Sequence, residues 1–189
     1  MPLQQTLIQE QEVINGGGLR PTPLPNSFDA LLLTPHIKTA MHRHVRDFLG
    51  ATFYNALLTE KGTTVSNYNE DLGGLVPAFT TPAYETLWKE YLLELCANAV
   101  VYEAIPFIVT QLCSNGILEL NIETGTNGGL RAGQYLQDTM LERIKLNKKE
   151  LREFLCDNAV TYTLYDSKTE CDDCKKDNTS DFLGVIIYD

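Results

Sequence analysis

Basic residues are scarce in this chain: 15 Lys and Arg stand against 25 Asp and Glu in 189 residues, leaving a formal charge of −10. Wrapping nucleic acid requires clustered cations that release counterions from phosphate, so this balance speaks against that class. Uninterrupted apolar runs are also short, well below the roughly 20 residues that span a bilayer. Met1 to Glu12 has neither the basic nor the apolar region of a signal peptide. The expectation is a protein that is neither exported nor inserted into a membrane. Cysteines number only five, Cys96, Cys113, Cys156, Cys171 and Cys174. An odd count without a signal peptide makes a poor disulfide framework, so free thiols in a reducing setting are expected.

Motifs with catalytic content are lacking as well. Cys171 and Cys174 have a metal-like spacing, but tetrahedral zinc takes four ligands and no second Cys or His pair stands at a matching distance. The two aspartates between them would raise the thiol pKa, the reverse of what redox chemistry needs. Cys96 and Cys113 lie in apolar stretches, where a thiol behaves as a small hydrophobe. Gly16–Gly18 and Gly128–Gly129 are not followed by Lys-Ser or Lys-Thr and do not sit between a strand and a helix in a βαβ setting, so they are not read as phosphate loops. His36, His42 and His44 fall in one helix, where His42 and His44 point about 200° apart and cannot share a metal. With Arg43 and Arg46 they make a weakly basic patch. Glu70–Asp71 and Asp172–Asp173 read as solvated charge, and Asp172, Asp173 and Asp177 are the one set that could hold a cation. No catalytic, cofactor-binding or metal-binding residue is therefore assigned.

What is present is helical periodicity. Thr34 is a natural N-cap before Pro35, and Ile37, Met41, Val45 and Phe48 form an apolar stripe, so a helix is expected from 35 to 58 with a break at Gly50. Residues 60 to 81 read as a long Gly-containing loop. Pro82 opens a second helix, whose stripe Leu87, Tyr91, Leu95, Asn98, Tyr102, Ile105 is widened by Trp88, Leu92 and Ala99; it should be central and should end or kink at Pro106. A small β-hairpin is expected near 107–122, around Ser114-Asn115-Gly116. A third helix spans 130–156, with nine charged residues between Asp138 and Glu153 and with Leu141, Ile144, Leu151 and Leu155 on its buried side. Lys148 interrupts that stripe. Val160–Tyr165 and Phe182–Tyr188 read as strands. The expected fold is mainly α: a bundle of long helices (31–158), an extended N-terminal arm (1–30) and a β-prone C-terminal extension (159–189). Its core should comprise Ile37, Met41, Val45, Phe48, Leu87, Tyr91, Leu95, Tyr102, Leu141 and Ile144.

The order of these pieces carries a resemblance. Phe48-Leu-Gly-Ala-Thr-Phe-Tyr-Asn-Ala-Leu57, then Tyr102-Glu-Ala-Ile-Pro-Phe107, then Ser114-Asn-Gly-Ile117 and the long charged helix resemble the head-to-tail connector (adaptor) proteins of tailed bacteriophages. The likeness is greatest to the version carried by phages and prophages of Bacteroidetes, including crAss-like phages, and covers about residues 30–160. The arm before Ser27 and the tail after Asn158 lie outside it.

The resemblance implies a structural virion protein, not an enzyme, in the neck of the particle after assembly in the host cytoplasm. Its partners would be further copies of itself in a ring, twelve-fold in such assemblies, the portal protein, the next ring or tail protein, and double-stranded DNA passing through the lumen without specific binding; no membrane and no cofactor are implied. Two rivals remain: a non-viral helical adaptor, and a small hydrolase built from a His and a carboxylate brought together by folding.

Overall fold

In the computed structural model the protein is mainly helical. The structure describes residues 6–14, 22, 24, 28–61, 67–69, 74–76, 79–113, 116–119 and 129–165. Gly16–Gly18, Gly128, Glu70–Asp71, Ser114-Asn115 of the expected turn, Cys171, Cys174, Asp172, Asp173, Asp177 and the expected strand Phe182–Tyr188 all lie outside the described residues.

A short helix α1 (Glu10–Ile14) and a 3-10 turn (Ala30–Leu32) precede α2, which is built from Thr34–Ala40, a π segment Met41–Arg46 and Asp47–Leu49. Thr34 does not cap α2: it is already helical, and its hydroxyl donates to Glu10 Oε1 at 2.8 Å, tying α1 to α2. In the π segment Asp47 N–H donates to His42 O, a five-residue step that widens the turn. The buried residues of α2 accordingly run Ile37, Met41, Val45, Leu49, and Phe48 is left half-buried. Gly50 then breaks the helix at φ 80°, a conformation that strains any residue with a Cβ. An added Cβ there would meet nothing within 4 Å, so the glycine serves backbone geometry and not close packing.

Helix α3 (Ala51–Lys61) follows, and within the expected loop Asn67–Asn69 (β1) pairs antiparallel with Gly74–Val76 (β2). The central helix α4 comprises Pro82–Leu87, a second π segment Trp88–Leu92 and Leu93–Val109. Its start is held by two carboxylates: Glu60 accepts from Thr81 N–H, and Glu85 accepts from Phe79 N–H at 2.9 Å. Of the two outcomes expected at Pro106, an end or a kink, the first does not occur: α4 runs one turn further, so Phe107 is helical and not the start of a strand. With so few residues beyond it, the proline's missing N–H costs one terminal bond, and Pro106 itself is exposed. Thr110–Cys113 (β3) and Gly116–Glu119 (β4) then pair antiparallel with Leu112 opposite Ile117. Helix α5 spans Gly129–Asp157.

Helices α4 and α5 run antiparallel, because Tyr91 near the start of α4 stacks on Phe154 near the end of α5 at 4.4 Å, and Tyr162 Oη donates to Ala83 O at 2.9 Å. Pro82–Ile108 is long and apolar enough to cross a membrane by length and composition, which the absence of an uninterrupted apolar run had concealed. Here 61% of its most apolar window is buried inside the protein, as the central element of the core.

Six of the expected core positions are buried: Ile37, Met41, Val45, Leu87, Leu95 and Ile144. Phe48, Tyr91, Tyr102 and Leu141 are only partly covered. On α5 the buried row is Met140, Ile144, Asn147, Leu151 and Leu155, so Met140 takes the place expected for Leu141. Lys148 lies beside the row with Nζ 5.8 Å from the centre of the Phe48 ring.

Both ends of the described chain join this core. Leu7, Ile8 and Val13 are fully buried, so this part of the arm is not a detached extension. Val160–Tyr165 is not a strand: Thr161 and Tyr162 N–H both donate to Asn158 O, and Tyr165 N–H donates to Tyr162 O. These turns carry Tyr162 and Tyr165, three residues apart, into the core beside Phe53 and leave Val160 exposed. The spacing of three that buries both rings suits a turn, whereas a strand would place them on opposite faces.

Candidate functional site

The sequence-derived histidines separate onto different surfaces. His44 Nε2 lies 2.9 Å from Glu103 Oε1, and Arg43 Nη1 donates to both Glu103 oxygens at 2.9 and 3.1 Å. The His44 ring meets Tyr102 edge-on at 5.5 Å, and His36 packs on Phe107 at 4.7 Å. Glu103, Tyr102 and Phe107 all belong to the Tyr102–Phe107 motif, whose polar and aromatic members thus clamp α2 to α4.

The ion-pair geometry of His44 and Glu103 would favour imidazolium, yet the His44 pKa is lowered. Burial is the largest cause; the Glu103 hydrogen bond works against it, and Lys148 and Arg43 reinforce it. Desolvation therefore prevails, and the neutral ring donates its Nε2–H to a carboxylate that can only accept. His36 is lowered too, by burial against a weaker upward pull from Glu103. This cluster is committed to joining two helices.

His42 faces the other way, as expected, into a pocket of about 260 Å³. Lys38, His42 and Arg46, four residues apart along α2, form one wall, and Thr6, Met41, Tyr54, Asn55 and Leu58 complete it. In a regular helix that spacing drifts around the axis; the wider π turn between His42 and Arg46 takes up part of the drift. Among the described residues Lys38 and Arg46 have no ion-pair partner. Burial raises the Tyr54 pKa to about 12, so its hydroxyl stays protonated. The row was legible as Lys38-x₃-His42-x₃-Arg46, but the grouping of His42 with Arg43 and His44 obscured it.

A second open surface lies on α5, where Tyr135, Asp138, Thr139, Glu142, Arg143 and Leu146 border a shallow groove. Tyr135 is 77% and Leu146 55% exposed. Below Leu146 the same side continues through Glu150, Glu153 and Asp157, all exposed.

Among the described residues one ion pair is fully buried. Lys61 Nζ donates to Glu12 Oε2 at 2.8 Å with both side chains at most 1% exposed, and Lys61 also sits 4.7 Å over the Trp88 ring. Gln9 N–H donates to the same carboxylate oxygen at 3.0 Å. Neither residue falls in a helix expected from the sequence: Glu12 belongs to the extended arm (1–30) and Lys61 to the loop of residues 60 to 81. Neighbouring Cys96 is a free, fully buried thiol whose pKa burial pushes far up, so it is an inert packing residue. Cys156 is disulfide-bonded, which corrects the expectation of free thiols throughout. Among the described residues no group of three or more His, Cys, Asp or Glu could hold a metal ion.

Residues 45–175 match a family described only as a family of unknown function (DUF6712). No curated protein and no solved structure matches the chain.

Proposed function

The chain belongs to the DUF6712 family, and within it we propose that the protein is a structural virion component of the phage head-to-tail connector. It forms a ring below the portal, joins portal to tail and lets genomic DNA pass through its lumen. In this reading the protomer is a bundle of the long helices α2, α4 and α5, with the β3–β4 hairpin and the terminal segments reaching its neighbours. The observation that carries the reading is the ordered motif set of the connector resemblance, whose residues serve packing and turns. Gly50 makes the break, Phe53 and Leu57 are buried, and Glu103 bridges α2 and α4. A scaffold of this kind has no need of a catalytic centre. The exposed Tyr135 and Leu146 on α5 support it as well, since apolar side chains set among charges are what a contact between copies uses.

The charge agrees with a conduit. A lumen dominated by carboxylates repels phosphate and lets DNA slide, whereas a basic lumen would retain it. A closed ring also needs two different surfaces on each subunit, one meeting the other on the neighbour. The test is the size of the purified protein by light scattering and negative-stain microscopy, alone and mixed with the portal protein of the same genome. Rings of uniform size that bind portal are expected. A chain that remains monomeric in both settings overturns the reading.

A further inference from the structure

We infer that the Lys38–His42–Arg46 pocket is the receptor for the acidic C-terminal end of α5 from a second copy of this chain, and that Glu150, Glu153 and Asp157 are the groups it receives. The inference rests on the ring reading and names the two surfaces that meet. The first observation is that the two rows carry opposite charge and stand unpaired in the isolated subunit. Lys38 and Arg46 put two cations on one wall of the pocket, with the His42 imidazole between them. Glu150, Glu153 and Asp157 set like charges three and four residues apart, a spacing that destabilises a helix. They also lie at the negative end of the α5 dipole, where no basic residue stands in the last turn. Among the described residues none of Lys38, Arg46, Glu150, Glu153 and Asp157 has an ion-pair partner.

The second observation is dimensional. At 1.5 Å per residue, Lys38 to Arg46 covers about 12 Å of helix and Glu150 to Asp157 about 10 Å. Two helices laid side by side can therefore match the rows along their whole length. The third is occupancy: a pocket of about 260 Å³ beside the basic row has room for carboxylate side chains. On a chain of net charge −10, a further copy is an abundant source of complementary charge. Pairing a basic surface with a distinct acidic one is a head-to-tail contact, the kind that closes a ring.

The experiment is a charge swap read by mass photometry and sedimentation velocity at about 0.05 and 0.5 M salt, with circular dichroism and thermal melting to establish that each variant is folded. Lys38→Glu with Arg46→Glu, and separately Glu150→Lys with Glu153→Lys, should each weaken association by about tenfold or more, because like charges then face one another. The chain carrying all four changes should regain assembly, since its two surfaces are again complementary. Wild-type association should fall in high salt. Either folded double variant assembling like the wild type overturns the inference while leaving the ring reading intact, and so does a folded four-change chain that fails to assemble. A short DNA duplex serves as a control: if Lys38→Glu with Arg46→Glu abolishes duplex binding and leaves assembly unchanged, the pocket serves nucleic acid and the inference fails. A wild-type chain that stays monomeric in both salts, alone and with portal, removes the ring reading and this contact together.

Discussion

Glu12 and Lys61 show how much can hang on two side chains. Removing both charges from water is costly, and the 2.8 Å contact, the Gln9 N–H and the Trp88 ring offset that cost only while all are present. Glu12→Ala or Lys61→Ala should therefore lower stability by about 3–5 kcal/mol, since either leaves a buried charge without its partner. The Glu12→Leu, Lys61→Met double variant should lose far less than the sum of the single changes. Urea unfolding of the four proteins measures this, and strict additivity would show that the two side chains do not interact. His36 and His44 set a pH response. Both have folded-state pKa values lowered from the ordinary 6.5, so the unfolded chain takes up protons that the folded chain refuses. Their contribution is fully present above pH 6.5 and is lost as pH falls from there through the lower folded-state values. The melting temperature should fall between about pH 7.5 and 5.5, and His44→Gln should flatten the slope. A slope unchanged by that substitution would place the titration elsewhere.

At the scale of elements, the α4–α5 contact holds the molecule's largest helices in register. Leu95, one turn after Tyr91 on α4, is fully buried in the core, and Leu95→Ala should cost about 2–5 kcal/mol. A loss below about half a kcal/mol would show that this face has been misplaced. The contact also contains a polar level. Tyr91 stacks on Phe154, so in an antiparallel pair Asn98, seven residues after Tyr91, comes level with Asn147, seven residues before Phe154. Asn98 is fully buried, and neither its amide oxygen nor its nitrogen has a hydrogen-bond partner among the described residues. An unsatisfied buried amide costs about 1–3 kcal/mol, so Asn98→Leu should raise the unfolding midpoint in urea. A lower midpoint would reveal that the amide has a partner in solution.

For the whole molecule, the ends of the core matter most. Tyr162 and Tyr165 pack beside Phe53, and Tyr162 is bonded to the start of α4. A chain ending at Asn158 should therefore melt well below one ending at Tyr165, by several degrees for each kcal/mol lost. Equal melting temperatures would mean that the two rings add nothing to the core. Under the connector reading, the chain ending at Tyr165 should fold and yet join rings less readily than the full chain, which mixing with wild-type protein in light scattering would detect.

The sequence by itself determined the mainly helical class, the three long helical stretches, the Gly50 break and the buried face of α2 through Ile37, Met41 and Val45. Each follows from local rules: an apolar step of three or four, a proline at a helix start, a glycine free to take positive φ. Only the tertiary structure decided that Glu12 meets Lys61 across 49 residues, that α4 outlasts Pro106, and that Val160–Tyr165 turns to bury two tyrosines. A turn and a strand are close in local preference for so short a β-branched segment, and the aromatic cluster around Phe53 settles the matter by burial. The basic row facing the pocket lay in between. Its spacing was written in Lys38, His42 and Arg46, but the cavity beside it exists because Thr6, Tyr54 and Leu58 arrive from elsewhere in the chain.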